Sequence, residues 1–223
     1  MARIGIEWVN KYHGRGRDLN NAQKQAERFY YKLSGVKAFN WGDDYAWDID
    51  FEEEGVGVFD VTSWVERVHI VLFSGHGCPN GVRFGVVGHD DGELHYTEAK
   101  WGNGVLNWIC FDSCRVLNND DSGVFDRWRN AFDGLHIILG FDTAANDKPY
   151  VGRYFAELLN DGYTVINAWK KACIEGEESD KKWAYLRSAG GSGVNTYYDH
   201  WHGKGWVSKD PTNSWRVWTR GGC

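Results

Sequence analysis

Proline, methionine and long apolar runs are scarce in this sequence, which has three prolines and one methionine among 223 residues. So little proline, without a long polar tract, is not typical of a disordered or linker-rich protein. Apolar runs reach about ten residues at most, whereas a membrane-spanning helix needs roughly 18. The first residues include a glutamate and lack the apolar stretch of a secretory signal. These absences predict a globular protein with no membrane partner, folded as a single domain over 1–223.

An excess of positive charge is lacking too, since 25 basic residues face 31 acidic ones and the isoelectric point is about 5.7. A nucleic-acid-binding protein would usually carry a basic face, so no nucleic-acid partner is expected. The five cysteines are Cys78, Cys110, Cys114, Cys173 and Cys223. An odd number cannot pair completely within one chain, and no CxxC pair exists. The sequence therefore predicts reduced thiols in the cytoplasm, with no cofactor and no bound metal.

Aromatic residues are abundant, with 13 Trp, 11 Tyr and 11 Phe. Large aromatic side chains bury much surface, so one interpretation is a core built on them. The other is a binding cleft with aromatic walls, to which Trp41 would contribute. Composition alone does not separate the two.

Hydrophobic patterning predicts strands that alternate with helices. Nearly continuous apolar runs are typical of strands at the centre of a parallel sheet. The expected strands are residues 3–9, 68–73, 106–111 and 135–141, and the expected helices are 20–33, 124–132, 151–160 and 164–173. This order predicts an α/β fold, an αβα sandwich with a mostly parallel central sheet. The Trp- and Gly-rich segment 188–223 is expected to be an appendage packed on that sheet.

Three reactive side chains follow the three buried runs. His76 lies in Ser-Gly-His-Gly after the first run, Cys114 in Asp-Ser-Cys after the second, and Asp142 in Asp-Thr after the third. Reactive groups in open α/β sheets cluster beyond the carboxyl ends of the strands, so all three are expected at one rim. A cysteine with an ordinary pKa of about 8.5 carries little thiolate at neutral pH, and a nearby imidazole would activate it.

These segments resemble the caspase-like (clan CD) cysteine peptidases, in which a hydrophobic block precedes His-Gly and another precedes the nucleophilic cysteine. The resemblance covers roughly residues 65–145. The Gln-Ala-Cys-x-Gly signature of caspases is absent, because Arg115 and Val116 follow the cysteine, so caspase specificity is not expected. Segments 39–42, 94–99 and 139–143 resemble, more narrowly, an uncharacterised caspase-like family of bacterial and fungal proteins.

The resemblance implies a caspase-like sandwich and a cysteine-nucleophile hydrolase, similar to a peptidase. By resemblance, His76 is the catalytic histidine, Cys114 is the nucleophile, and the backbone amides of Gly77 and Cys114 form the oxyanion hole. A thioester acyl-enzyme would then pass to water or to another nucleophile. Peptides are the superfamily's usual substrates, and a small-molecule carbonyl compound is the alternative.

Substrate binding is expected of Asp142, Asp112 and Trp41. Asp142 either binds a cationic substrate group or caps the following helix, and Asp112 either contacts substrate or orients the nucleophile loop. The acidic stretch 43–54, expected to be a solvated loop, and the C-terminal segment are expected to line the cleft.

Several alternatives stay open at this point. Cys78 is a rival nucleophile, and His200 and His202 would share one face of a strand and could bind a metal. A caspase-like scaffold could also act on a small metabolite, which predicts an aromatic-lined pocket near His76. A binding module without catalysis predicts instead that the histidine and Cys114 lie out of reach of each other.

Overall fold

The computed structural model describes residues 1–53, 64–87, 91–191, 193–212 and 215–223. The strands in these residues are β1 (Arg3–Trp8), β2 (Val36–Gly42), β3 (Ile70–Ser74), β4 (His76–Cys78), β5 (Gly81–Arg83), β6 (Glu93–His95), β7 (Trp108–Asp112), β8 (Ile137–Phe141), β9 (Lys182–Ala189) and β10 (Trp215–Gly222). The α-helices are α1 (Ala22–Lys32), α2 (Val124–Trp128), α3 (Val151–Asn160) and α4 (Val165–Gly176).

Seven strands form one sheet in the order β10-β9-β8-β7-β3-β1-β2. The strands β1, β2, β3, β7 and β8 are parallel. At one edge, β9 is antiparallel to β8, and β10 is in turn antiparallel to β9. Every residue of β3, β7 and β8 is buried, as the continuous apolar runs predict for central parallel strands. The predicted α/β fold with a mostly parallel central sheet is confirmed.

The two faces of the sheet are covered differently. Helices α1, α3 and α4 pack on one face, where alternate strand residues such as Ile70 and Leu72 join Phe29 and Phe155 in one apolar cluster. The intervening residues, including Phe73, face a second cluster. That second cluster is closed by α2, by short 3-10 turns and by a three-stranded sheet in the order β4-β5-β6.

Many of the tryptophans belong to this core. The fully buried ones are Trp101, Trp108, Trp128, Trp169 and Trp201. Their indole N–H groups donate to acceptors within the protein, for example from Trp101 to the Phe51 carbonyl at 2.7 Å. Since a buried indole needs such a partner, these contacts fix the rings in place. For these five residues the core interpretation of the aromatic composition is correct.

Short and edge strands escape prediction from the sequence. Strand β2 lies at one edge of the main sheet and has no continuous apolar run. The C-terminal segment is partly integrated, because β10 pairs with β9 along its whole length as the other edge of the main sheet. Helix α2 is shorter than the predicted 124–132, since residues 129–131 continue as a 3-10 turn.

The acidic stretch is not a solvated loop where the structure describes it, up to residue 53. Asp50 and Glu52 are almost fully buried, and Asp50 lies against the completely buried Glu7 of β1. Burial, reinforced by the neighbouring carboxylates, raises the pKa of Glu7 well above its ordinary value and that of Asp50 to about 7. The folded protein therefore keeps protons here that an unfolded chain would release.

Candidate active site

The ends of two neighbouring strands bring His76 and Cys114 to one cleft. Strands β3 and β7 are parallel, and their last paired residues are Ser74 and Asp112. His76 and Cys114 each follow two residues later, so they leave the sheet at equivalent positions. Both line a cleft of about 260 Å³ at this rim. The cleft is lined by Gln25 and by residues 17–22, 74–76, 112–114 and 145–148.

The imidazole of His76 is held from two sides. Its ring lies on the ring of Tyr12, with 4.4 Å between centroids. The backbone N–H of His76 donates to the Tyr12 hydroxyl at 2.6 Å. Its Nε2 lies 2.6 Å from the carbonyl oxygen of Arg17. Because a carbonyl only accepts, Nε2 carries the proton in this arrangement, and Nδ1 is left with the lone pair that a general base needs.

Tyr12 is a contact residue of the candidate site that the sequence analysis missed. Its side chain is completely buried, and burial raises the pKa of its hydroxyl. It lies in the loop after β1, which is the neighbour of β3 in the sheet. The rule that places reactive groups beyond strand ends would have pointed to this loop, had β1 been placed beside β3.

The thiol of Cys114 rests in its protonated form. It is partly buried and donates a long hydrogen bond of 3.6 Å to the Ala145 carbonyl. Burial raises the pKa of this thiol, and the carboxylates of Asp112 and Glu177 raise it further. In the described part of the chain no hydrogen bond joins the thiol to the His76 imidazole. Attack by the sulfur therefore requires that a base remove the proton during the reaction.

Gly77 passes close to the segment that carries Cys114. A Cβ atom at Gly77 would lie 2.8 Å from the Cys114 carbonyl oxygen and 2.8 Å from the Ser113 Cβ. Only glycine fits at this distance without a shift of the loop. The amides of Gly77 and Cys114 thus belong to two segments in contact, and their role as an oxyanion hole stays a prediction.

Asp112 lines the cleft, and one of its two carboxyl oxygens is hydrogen-bonded to a neighbouring side chain. The Ser74 hydroxyl donates to its Oδ2 at 3.0 Å. Burial raises the pKa of Asp112 to about 8, and Glu177 contributes to the rise. The carboxyl is therefore mostly neutral at pH 7. This geometry suits a residue that orients the loop of Cys114 better than one that contacts a cationic substrate.

Asp142 does not line the cleft. Its buried carboxylate receives Nη1 of Arg220 at 2.5 Å and the backbone N–H of Asn119 at 3.1 Å. The Asn118 amide donates to its carbonyl. A substrate cation would have to displace the Arg220 guanidinium, which strand β10 supplies. The substrate-binding role of Asp142 stays a prediction.

Trp41 and the acidic stretch lie elsewhere. Trp41 stacks on Phe39 on the edge strand β2 and lines a separate depression with Trp8 and Tyr45. None of the described residues of 43–54 or of the C-terminal segment lines the His76–Cys114 cleft. The expectation that these two segments form its walls is wrong, because β2 and β10 are the two outer edges of the sheet.

The walls of the cleft are instead the loops 17–22 and 145–148, which are joined by hydrogen bonds of Asp147. Its carboxylate accepts the backbone N–H groups of Asn20 at 2.6 Å and Asn21 at 2.9 Å. The Asn21 side chain returns a bond to the Asp147 carbonyl at 2.8 Å. His76 is hydrogen-bonded to the Arg17 carbonyl in loop 17–22, and Cys114 to the Ala145 carbonyl in loop 145–148. The hydrogen bonds of Asp147 between these loops therefore hold both candidate catalytic groups in place. No local sequence signal marks them, because the partners are more than 120 residues apart.

His200 and His202 have separate hydrogen-bond partners in the structure. His202 Nε2 lies 3.0 Å from the Asn107 side-chain oxygen, whereas His200 Nδ1 faces the Trp206 carbonyl at 3.3 Å. The two rings thus have different partners. No group of three or more His, Cys, Asp or Glu in the described ranges is arranged to hold a metal ion. Among the same residues, every helix is too short or too polar to cross a bilayer.

The chain belongs to the family described as domain of unknown function DUF6345, whose model matches residues 6–221. None of the curated proteins matches it. Among solved structures, it is similar to a secreted C11 cysteine protease from Bacteroides thetaiotaomicron, determined in complex with an irreversible peptide inhibitor. The TM-score is 0.45 and the identity 9%, over 84% of this chain and 66% of that one. The chain thus spans just under two thirds of the protease's length.

Proposed function

We propose that this protein is a cysteine-nucleophile hydrolase or acyl transferase in which Cys114 attacks a carbonyl and His76 acts as the base. The observation that carries the proposal is the register of β3 and β7, which delivers His76 and Cys114 to one cleft. The resemblance of the two strand-end motifs to caspase-like cysteine peptidases supports it independently of this geometry.

The resting protonation states define the order of events. As the Cys114 sulfur forms a bond to the carbonyl carbon, Nδ1 of His76 takes the thiol proton, which is general-base catalysis. The carbonyl oxygen becomes an oxyanion, for which the amides of Gly77 and Cys114 are the proposed donors. The imidazolium then returns the proton to the leaving group as its bond to carbon breaks. Water hydrolyses the resulting thioester, or an amine takes the acyl group.

The lining of the cleft favours a peptide over a flat apolar ligand. In the described chain, no Phe, Tyr or Trp lines this cleft or the neighbouring cavity beside His76. An enzyme for a compact apolar metabolite would need such aromatic walls. A peptide suits a lining with polar and charged side chains, such as those of Asp18, Asn146 and Lys148 in this cleft.

Acetylation by p-nitrophenyl acetate tests the proposal without knowledge of the natural substrate. We expect Cys114 to receive the acetyl group first, at least about tenfold faster than the exposed Cys78, because the proposed base His76 acts on Cys114. Cys78 is the competing thiol, since it lines the neighbouring cavity together with His76. Release of p-nitrophenolate gives the rate, and mass spectrometry of proteolytic fragments identifies the acetylated thiol. Faster acetylation of Cys78 would overturn the assignment of the nucleophile.

Tyr12→Phe is expected to lower the acetylation rate of Cys114 roughly tenfold while leaving the fold intact. The ring that supports the imidazole remains, but the His76 N–H loses the hydroxyl that it bonds to. Tyr12→Ala, which also removes the ring, should lower the rate further. The thermal midpoint serves as the control for folding. Equal rates in wild type and Tyr12→Phe would show that the hydroxyl does not position His76.

A further inference from the structure

A second cavity lies on the other side of His76. It has a volume of about 340 Å³ and shares Arg17 and His76 with the cleft, but Cys114 does not line it. Its volume falls in the range of roughly 300–1,000 Å³ that is typical of ligand sites. His76 therefore stands between the nucleophile and this cavity.

The floor of the cavity is one face of the small sheet. His76 pairs with Arg83, which pairs with Glu93, so these three side chains form one row on that face. In the next row, Gly81 is the central residue. It has a positive φ, and a Cβ there would collide with the Leu94 carbonyl, so only glycine fits. Cys78 and His95 complete this row, and both also line the cavity.

The charged residues that line the cavity leave it with net positive charge. Arg83 is paired with Glu93, with Nη2 and Oε1 2.7 Å apart. Arg15 approaches the same carboxylate at 4.0 Å from outside the lining. The guanidinium of Arg17 has no hydrogen bond or ion pair with any described residue. The lining thus has one uncommitted cation, and it stands at the wall shared with the cleft.

The proton transfer from His76 to the leaving group indicates which part of the substrate the cavity would bind. In the proposed reaction, His76 gives its proton to the leaving group, which must therefore lie on the side of His76. We propose that the cavity binds the leaving-group part of the substrate and that Arg17 selects a leaving group with a carboxylate. This inference rests on the proposed function and specifies its substrate class. A carboxylate would pair with Arg17, the cation of the cavity lining that has no ion pair with any described residue.

Acetyl thioesters test this proposal in a stoichiometric reaction. The Cys114 sulfur bonds to the acetyl carbon, the carbon–sulfur bond of the thioester breaks, and the departing thiolate takes the proton of the Cys114 thiol through His76. The two probes are S-acetyl-3-mercaptopropionate and its carboxamide, which differ only in the charge of the leaving group. Each rate is divided by the rate of the same probe with N-acetylcysteine, which removes differences in intrinsic reactivity.

The normalised rate at Cys114 is expected to be roughly tenfold higher for the carboxylate probe. Arg17→Gln should reduce this ratio to about one, and Arg17→Lys should retain most of it, since a charge is the main requirement. The backbone carbonyl that holds His76 is unchanged in both variants. Lys148→Gln is the matched control, because Lys148 is a cation that lines the cleft and not the cavity, and the ratio should survive there.

The possible failures are distinguishable. Acetylation of Cys114 by both probes at equal normalised rates, or a ratio that survives Arg17→Gln, would overturn the leaving-group site and leave the proposed function standing. Acetylation of Cys114 that is no faster than that of free thiol with either probe would overturn the proposed function, and the site with it.

Discussion

Replacing Cys114 with alanine is expected to abolish the acyl-enzyme and to lower turnover of p-nitrophenyl acetate by more than about 10³-fold. His76→Ala should lower acylation of Cys114 by roughly 10²–10⁴-fold, the usual contribution of a positioned base. The resting pKa of the Cys114 thiol is raised, so without the imidazole little thiolate is available at neutral pH. The measurement is p-nitrophenolate release with fragment masses for each variant.

The controls for this pair are a thiol and an imidazole at other places in the fold. Cys223→Ser removes a thiol beside Cys173, and His200→Gln removes an imidazole that faces the Trp206 carbonyl. Both should keep wild-type rates. Combining His76→Ala with Cys114→Ala should add no further loss, because the two side chains act in one step. Turnover that persists in Cys114→Ala would exclude this residue as the nucleophile.

Glu7→Gln is expected to stabilise the protein at pH 8, by on the order of 2 kcal/mol, or roughly 4–8 °C in thermal midpoint. Glu7 and Asp50 are buried together, and their pKa values are raised, that of Asp50 to about 7. The folded chain thus binds more protons than the unfolded chain above about pH 4.5, so stability falls as pH rises. Glutamine removes one of the two ionisations and can donate to the Asp50 carboxylate.

The difference between Glu7→Gln and wild type should grow from about zero at pH 4.5 to its full size at pH 8. Thermal melts at half-unit intervals of pH measure it. Glu175→Gln, on the exposed surface of α4, is the matched control and should change neither the midpoint nor its pH dependence. A Glu7→Gln variant less stable than wild type at pH 8 would show that the charged carboxylate is stabilised in the fold.

The central strands could be predicted from the sequence because each is buried on both faces. The apolar runs around Ile70, Ile109 and Ile138 correspond to β3, β7 and β8, and the predicted helix 151–160 coincides with α3. Strands at the edges depend instead on their neighbours. Strand β10 has residues that are half-buried or exposed throughout, and only its pairing with β9 makes it part of the sheet.

The candidate site also contains residues that could be predicted from the sequence and residues that depend on distant contacts. His76 and Cys114 could be predicted because strand ends in a parallel sheet share one rim. The side chains that hold the site depend on contacts across the chain: Tyr12 meets His76 over 64 residues, and Asp147 meets Asn20 over 127. Asp142 also follows a central strand, yet its carboxylate is hydrogen-bonded to Arg220 from the edge strand β10. Strand order, which the sequence does not contain in local form, decides these contacts.

The pH dependence of Cys114 acylation tests the central claim, that His76 removes the thiol proton during attack. In His76→Gln only pre-formed thiolate can react, so the rate should rise nearly tenfold per pH unit through the neutral range, because burial raises the pKa of the thiol above its ordinary value. In wild type the rate at pH 7 should already be at least about 10²-fold higher, with a much shallower rise. Identical slopes and rates in the two proteins would contradict the account.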